Sequence, residues 1–207
     1  MLAVAHGVRE QRAIFLGICA GLRSAELRGL QGRHFQRPGV VHVSADIAKG
    51  GTGRWVPATL ELVPILEEIR SHVAVDEYVL PAQRWRNPGG NSEKRDYRKR
   101  PSSSQALRTL VATVATRAGI AAHIHPHLMR HAYGDHIARH AGTRVAQFLL
   151  GHSALGTTET YLGAPTLDEL SAAVSGFAFG VEPKQTFYPR VAEAAKAVEA
   201  PTRIELV

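Results

Sequence analysis

A short strand-rich patch interrupts a chain whose other apolar patterns are helical. Residues 33–36, 40–47 and 54–58 have strand character, and the sequences PG at 38–39 and KGGTG at 49–53 separate them. Proline and glycine at such points favour turns between strands. The patch therefore predicts a small three-stranded antiparallel sheet, with Lys49 exposed in its second turn. The fold class predicted is α+β and mainly helical.

Helical patterns account for most of the remaining sequence. Residues 9–20 space their apolar side chains as a helix does, and Ser24 suits the N-cap of a helix over 25–30. Arg23 would then lie at a helix N-terminus, where free N–H groups favour an anion. Further helices are predicted at 59–73, 104–118, 130–141, 144–150 and 157–162.

A capping box at residues 166–169, with the sequence TLDE, predicts one more helix over about 167–177. Its apolar stripe consists of Leu167, Leu170, Val174 and Phe177. The stripe requires a partner surface, and that surface belongs either to the same domain or to a neighbouring protomer.

Composition favours one globular domain in the cytoplasm. The chain has 207 residues, 44% of them hydrophobic, which is enough for one sizeable core. A single cysteine excludes an intrachain disulfide, and no apolar run reaches the length of about 18 residues that a membrane span needs. We expect a domain over 1–180, a tail with a weak alanine-rich helix over 181–207, and no membrane partner.

Positive charge is concentrated in one segment. The formal net charge is +7, and eight lysines and arginines lie between residues 81 and 108 against two acidic residues. Proline, glycine and serine in the same segment indicate an exposed connection, which either contacts DNA phosphates or is simply a solvated loop. The candidate DNA-binding residues are Arg84, Arg86, Arg95, Arg98, Lys99 and Arg100.

Five short motifs occur in order along the chain. They are GLRSAEL at 21–27, AKGG at 48–51, HPHLMRH at 125–131, LLGH at 149–152 and TTETY at 157–161. Each is weak alone, but in this order and at these separations they resemble the catalytic domain of the tyrosine recombinases, the phage-integrase and Xer-like family. The resemblance runs from about residue 8 to 163. It implies the DNA breaking-rejoining fold and double-stranded DNA as the partner.

The resemblance also implies roles for the residues within the motifs. Tyr161 would be the nucleophile that forms a 3′-phosphotyrosyl bond, and Arg23 and Arg130 would clamp the scissile phosphate through their planar guanidinium forks. Lys49 corresponds to the family's hairpin lysine, the general acid for the leaving 5′-oxygen.

The remaining motif residues would support this chemistry. His127 and His152 would complete the pocket by proton transfer or hydrogen bonding. Glu26, three residues after Arg23, is better placed to orient that arginine than to react. His131 also matches the family pattern.

Histidines are abundant near the motifs, which raises a metal site as an alternative. Seven of the 11 histidines lie between residues 123 and 152, and His136 and His140 are four residues apart. The sequence HIARH nevertheless lacks the glutamate of the zinc-binding pattern HExxH. The family resemblance implies neither a metal nor any other cofactor.

The resemblance predicts a site-specific recombinase or integrase, an enzyme that cuts and rejoins DNA. A type IB topoisomerase-like enzyme and a catalytically silent DNA-binding relative are the alternatives. The family's N-terminal DNA-clamping domain is expected to be absent, so we expect a monomer alone and a tetramer on DNA in a full-length form. The spacing before LLGH, shorter than the family's, predicts a tight turn at Gly142.

Overall fold

Seven α-helices and one two-stranded sheet make up the described part of the chain. The computed structural model describes residues 1–82, 96–151, 164–175 and 179. The helices are α1 (Val8–Cys19), α2 (Ser24–Gly29), α3 (Val63–His72), α4 (Ser104–Arg117), α5 (Pro126–Ala141), α6 (Thr143–Leu150) and α7 (Leu167–Ser175). The strands are β1 (Val40–Val43) and β2 (Arg54–Pro57), and short 3₁₀ helices lie at Leu2–Val4, Gly32–Phe35 and Tyr97–Lys99.

The sheet has two strands within the described residues, so the prediction of three was wrong. β1 and β2 pair antiparallel, with Val43 opposite Arg54. The expected first strand is instead a 3₁₀ helix, because the Gln31 backbone N–H donates to His34 Nδ1 at 2.9 Å and closes a local turn. His34 Nε2 also lies 2.8 Å from the Ser44 hydroxyl, so this turn packs against the end of β1.

Helix α1 lies at the centre of the larger hydrophobic cluster. Its residues Ala13, Ile14 and Leu16 are fully buried together with side chains from α2, α3, α4 and both strands. Gly17 allows α5 to approach closely, since a Cβ atom at this position would lie 2.5 Å from Met129 Cε. This packing fixes the start of α5 relative to the end of α1.

A second cluster joins α5, α6 and α7. Tyr133, Leu149, Leu170 and Val174 are among its buried side chains. Two of the four stripe residues, Leu170 and Val174, therefore pack on the same domain. The predicted capping box is present, with the Glu169 backbone N–H donating to Thr166 Oγ1 at 3.2 Å. The partner surface of these two apolar side chains thus belongs to the same domain.

The predicted helices mostly match the structure. α1, α4 and α6 begin and end within one residue of the predicted bounds, while α3 begins four residues later and α5 four residues earlier than predicted. The N-cap of α2 is Arg23 rather than the predicted Ser24. Only Gly142, at φ 88°, separates α5 from α6, as the predicted tight turn requires. The helix predicted at 157–162, Phe177 and the tail over 181–207 lie outside the described residues.

None of the described helices combines the length and the apolar character needed to cross a membrane. Cys19, on the buried face of α1, is a free thiol. Burial is the main cause that raises the pKa of this thiol, and the nearby Glu61 carboxylate raises it further. A thiol held neutral in this way is a packing residue rather than a nucleophile.

Candidate active site

Arg23 lies at the N-terminus of α2, just after a tight bend in the chain. Its backbone N–H donates to Glu26 Oε2 at 2.8 Å, and its Nη1 donates to Glu26 Oε1 at 3.0 Å. The Arg23 side chain remains 23% exposed, whereas Glu26 is fully buried. Glu26 therefore orients Arg23 from the buried side, and part of the guanidinium remains open to solvent.

Arg130 reaches the same place from α5. Its Nη1 donates to the Gly21 carbonyl at 2.7 Å, and its Nη2 donates to the Leu150 carbonyl. The residue is only 4% exposed. One guanidinium thus connects the bend before Arg23 to the end of α6.

Arg54, at the start of β2, completes the group and was missed by the sequence analysis. Its Nη1 and Nη2 donate to the two oxygens of Glu26, each at 2.9 Å, and its Nε donates to the Leu149 carbonyl at 2.8 Å. Along β2, Arg54 and Val56 lie on one face of the strand and Trp55 lies on the other. Val56 is fully buried. An arginine on the buried face of a strand requires a buried carboxylate, which is the signal that could have revealed it.

We call Arg23, Glu26, Arg54 and Arg130 the arginine cluster. Gly151, the left-handed C-cap of α6 at φ 63°, closes one side of it. The Gly151 carbonyl accepts a bond from Arg23 Nη2 at 3.3 Å. A Cβ atom at Gly151 would lie 3.0 Å from Arg54 Cδ, so the absence of a side chain lets the two elements meet.

The electrostatics of the arginine cluster favour an anion. Burial alone would raise the pKa of Glu26, but hydrogen bonds and charge from Arg54 and Arg23 outweigh it and the net pKa is lowered. Burial, followed by repulsion from Arg23 and Arg54, lowers the pKa of Arg130 to about 10. At neutral pH three guanidinium groups therefore face one carboxylate, and the excess positive charge suits a phosphate.

His127 and His131 lie on the exposed side of α5, three residues before and one residue after Arg130. Their ring centroids are 4.3 Å apart in an edge-to-face arrangement. Partial burial is the main cause that lowers the pKa of His127, with further contributions from His131 and Arg130. A lowered pKa favours the neutral imidazole, which is the form that can accept a proton.

The other predicted site residues divide into described and undescribed ones. Lys49 is exposed in the turn between β1 and β2, as predicted, and within the described residues no hydrogen bond or ion pair joins it to the arginine cluster. Arg98, Lys99 and Arg100 are exposed at the end of the basic connection. The residues outside the described part are His152, Tyr161, Arg84, Arg86 and Arg95.

The predicted alternative of a metal site has no counterpart in residues 1–82, 96–151 and 164–175. No group of three or more histidine, cysteine or acidic side chains there could hold a metal ion. The His136 and His140 rings lie 4.3 Å apart, and the His136 ring also stacks on Phe179 with ring centroids 4.2 Å apart.

Comparison with known proteins decides the family. Residues 2–165 match the family described as the phage integrase family. The chain belongs to this family. The chain is 32% identical over 161 residues to tyrosine recombinase XerC of Xanthomonas campestris pv. campestris strain B100. This match covers 75% of this chain and 44% of that protein.

Further relatives agree with this family. The chain is 32% identical over 162 residues to tyrosine recombinase XerC of Xylella fastidiosa strain 9a5c, covering 75% of this chain and 48% of the relative. It is 32% identical over 163 residues to tyrosine recombinase XerD of Shewanella oneidensis, and this match covers 74% of this chain and 48% of the relative. This phage integrase family chain thus spans about half the length of the curated relatives it matches.

A solved structure agrees with the fold. The integrase from mycobacterium phage Brujita superposes with a TM-score of 0.58 at 22% sequence identity, covering 87% of this chain and 56% of that chain. The structural match confirms the mainly helical α+β fold class, and the family match confirms the resemblance seen in the motifs. The matched range contains the complete arginine cluster as well as Lys49 and Tyr161.

Proposed function

We propose that this chain is the catalytic part of a site-specific DNA recombinase or integrase that cuts and rejoins DNA. The observation that carries the proposal is the arginine cluster, in which Arg23 and Arg130 are held by a buried carboxylate and by backbone carbonyls. A phosphodiester is an anion that such a pair of guanidinium forks can bind through paired hydrogen bonds. Membership of the phage integrase family supports DNA as the substrate.

In the proposed reaction, the Tyr161 hydroxyl attacks the scissile phosphorus and the 5′-oxygen of the next nucleotide leaves. The new bond is a 3′-phosphotyrosyl ester, and attack on it by a 5′-hydroxyl rejoins the DNA. Arg23 and Arg130 would neutralise the charge that develops on the non-bridging oxygens. Because both guanidinium groups are already anchored, little reorganisation is needed when the phosphate enters.

Proton transfer is assigned to His127 and Lys49, and hydrogen bonding to His152. A free tyrosine has a pKa of about 10, so Tyr161 needs a base nearby at neutral pH. His127 suits this role because its lowered pKa favours the neutral imidazole. Lys49, exposed in the β1–β2 turn, would protonate the leaving 5′-oxygen, and His152 would hydrogen bond to the phosphate.

The wider organisation follows from the same proposal. Residues 1–180 would form the catalytic domain, and residues 181–207 a separate tail. The basic connection, including Arg98, Lys99 and Arg100, would contact backbone phosphates. A longer form would act as a tetramer on DNA in the cytoplasm, whereas this chain alone would be a monomer that binds weakly.

The test is covalent trapping on a nicked suicide DNA site in the presence of EDTA. Wild type should form a denaturant-resistant adduct, whereas Tyr161→Phe should bind DNA nearly as well and form none. Failure of wild type to form an adduct would leave a DNA-binding relative without catalysis. An adduct accompanied by relaxation of supercoiled DNA but no exchange between two sites would indicate a topoisomerase instead.

A further inference from the structure

Arg54 lies within the arginine cluster and yet has no part in the proposed reaction. All three of its guanidinium nitrogens have acceptors, two on Glu26 and one on the Leu149 carbonyl, at 2.8–2.9 Å. Its side chain is 9% exposed. Three of its five N–H donors are thus taken by protein acceptors, and its side chain is less open to a substrate phosphate than that of Arg23, which is 23% exposed.

Arg54 reduces the extent to which the Glu26 carboxylate neutralises the charge of Arg23. The carboxylate carries one negative charge, and Arg54 meets both of its oxygens in a bidentate pair. Arg23 shares only Oε1 through its side chain, and its Nη2 makes a longer bond of 3.3 Å to Gly151. Since Arg54 already balances the carboxylate, the charge of Arg23 remains available to an incoming anion.

The same residue also connects three parts of the fold. Arg54 begins β2, directly after the turn that carries Lys49. It reaches α2 through Glu26 and the end of α6 through Leu149. Loss of Arg54 would therefore alter the position of Arg23 relative to both the lysine turn and the segment that leads to Tyr161.

We infer that Arg54 is a positioning residue, which clamps Glu26 so that the Arg23 guanidinium is fixed in place and left available to the scissile phosphate. The inference rests on the proposed function. Arg54 therefore affects the cleavage rate by positioning Arg23 and has little effect on DNA affinity.

The test compares two nicked DNA substrates under single-turnover conditions, one with a normal scissile phosphate and one with a methylphosphonate. The methyl group replaces a non-bridging oxygen and removes the charge that Arg23 neutralises. Arg54→Met should slow cleavage of the phosphate by about 10- to 100-fold, because a small misplacement of a positioned group has an effect of this size. Cleavage of the methylphosphonate should fall much less, as it should for Arg23→Ala, and DNA binding should change little.

A matched control is available elsewhere in the chain. Arg12 forms a similar buried bidentate pair with Glu68 at 2.8 and 2.6 Å and also donates to the Val79 carbonyl. Arg12→Met should lower thermal stability as Arg54→Met does, while leaving the ratio of the two cleavage rates at the wild-type value. Arg54→Lys, which keeps the charge but loses the fork, should recover only part of the phosphate cleavage rate.

A double variant covers the case in which Arg54→Met does not fold. Glu26→Gln/Arg54→Met removes the buried carboxylate together with its bidentate partner, so neither member of that pair is left buried without the other. If Arg54 positions Arg23, this variant should fold and still cleave the phosphate at least about tenfold more slowly than wild type. A wild-type rate would mean that Arg54 only balances charge, and would overturn the inference.

The remaining outcomes separate the inference from the proposed function. If Arg54→Met slows both substrates equally, or neither, Arg54 is a structural residue like Arg12 and the inference is wrong. If wild type cleaves neither substrate, the proposed function fails instead, because the inference concerns only the relative effect of a variant.

Discussion

The aromatic ring of Tyr133 lies directly against the backbone of Gly21. A Cβ atom at Gly21 would come within 2.3 Å of Tyr133 Cδ1, and Gly21 itself has φ 60°. This bend presents the Gly21 carbonyl to Arg130 and places Arg23 two residues later. The buried tyrosine and the glycine therefore shape the site together.

Replacement of Gly21 by alanine should destabilise the fold strongly. The left-handed conformation costs about 1–2 kcal/mol for a residue with a Cβ atom, and overpacking against Tyr133 adds about 1–3 kcal/mol. The free energy of unfolding should thus fall by about 2–5 kcal/mol, as measured by urea denaturation.

Gly119→Ala provides the control for this prediction. Gly119 has φ 71°, but its missing Cβ would have no neighbour within 4 Å. This variant should lose only the conformational part, about 1–2 kcal/mol. Equal losses for the two variants would show that contact with Tyr133 does not constrain Gly21.

Glu26 should make stability depend on pH in the acid range. Its folded pKa lies below the ordinary value of 4.5. The stabilisation from the charged form is therefore fully present above the unfolded pKa and is lost as the pH falls through the lowered folded pKa. Glu26→Gln should cost about 3–5 kcal/mol at neutral pH, and this difference should shrink when urea denaturation is repeated at progressively lower pH.

Glu67→Gln is the matched control for acid sensitivity. Glu67 pairs with Arg70 at 2.9 Å on the exposed surface, where such a pair contributes about 0–1 kcal/mol. Glu67→Gln should therefore change the free energy of unfolding only slightly at every pH. A Glu26→Gln difference that stays constant or grows as the pH falls would contradict the account of the arginine cluster.

Much of the fold was predictable because local patterns determine it. The apolar spacing of residues 9–20 indicated α1, and TLDE at 166–169 indicated the start of α7. The sequence RHFQ has strand character, but the His34 side chain accepts the Gln31 N–H and makes a 3₁₀ turn. Strand character in four residues cannot reveal which of these local bonds forms.

The site was only partly predictable, for a different physical reason. Arg23 and Arg130 lie in motifs with recognisable spacing, whereas Arg54 lies outside them, and its place on the buried face of β2 indicates a carboxylate partner without saying which one. Its importance comes from Glu26, 28 residues earlier in the chain, and from the backbone carbonyl of Leu149, 95 residues later. Only the folded structure brings these three groups together.

The basic connection should affect the salt dependence of DNA binding unequally. Arg98 and Lys99 pair with Glu77 and Asp76 at 3.4 and 2.5 Å, while Arg100 forms no ion pair within the described residues. Arg100→Gln should reduce the slope of log affinity against log salt by about one. Arg98→Gln and Lys99→Gln should reduce it less, because acidic partners already offset their charge.

Titration of DNA binding at several salt concentrations gives these slopes directly. An unchanged slope for Arg100→Gln would mean that this end of the connection is a solvated loop. Adding Arg95→Gln to all three substitutions should weaken binding to every DNA sequence, since phosphate contacts carry no sequence information.

Lys49→Ala should slow cleavage in a way that depends on the leaving group. If Lys49 protonates the departing 5′-oxygen, a substrate with a 5′-bridging phosphorothiolate should restore cleavage, because a thiolate leaves without that proton. Rates on the two substrates measure the rescue, with Arg23→Ala as the control that should not be rescued. No rescue of Lys49→Ala would place the general acid elsewhere.

The most direct test of the account is the identity of the amino acid that becomes linked to DNA. After trapping on the nicked suicide site, the complex is digested with nuclease and protease, and the peptide that carries a residual nucleotide is sequenced by mass spectrometry. The account predicts the nucleotide on Tyr161, joined through its 3′-phosphate. A nucleotide on any other residue, or a 5′-phosphate linkage, would contradict it.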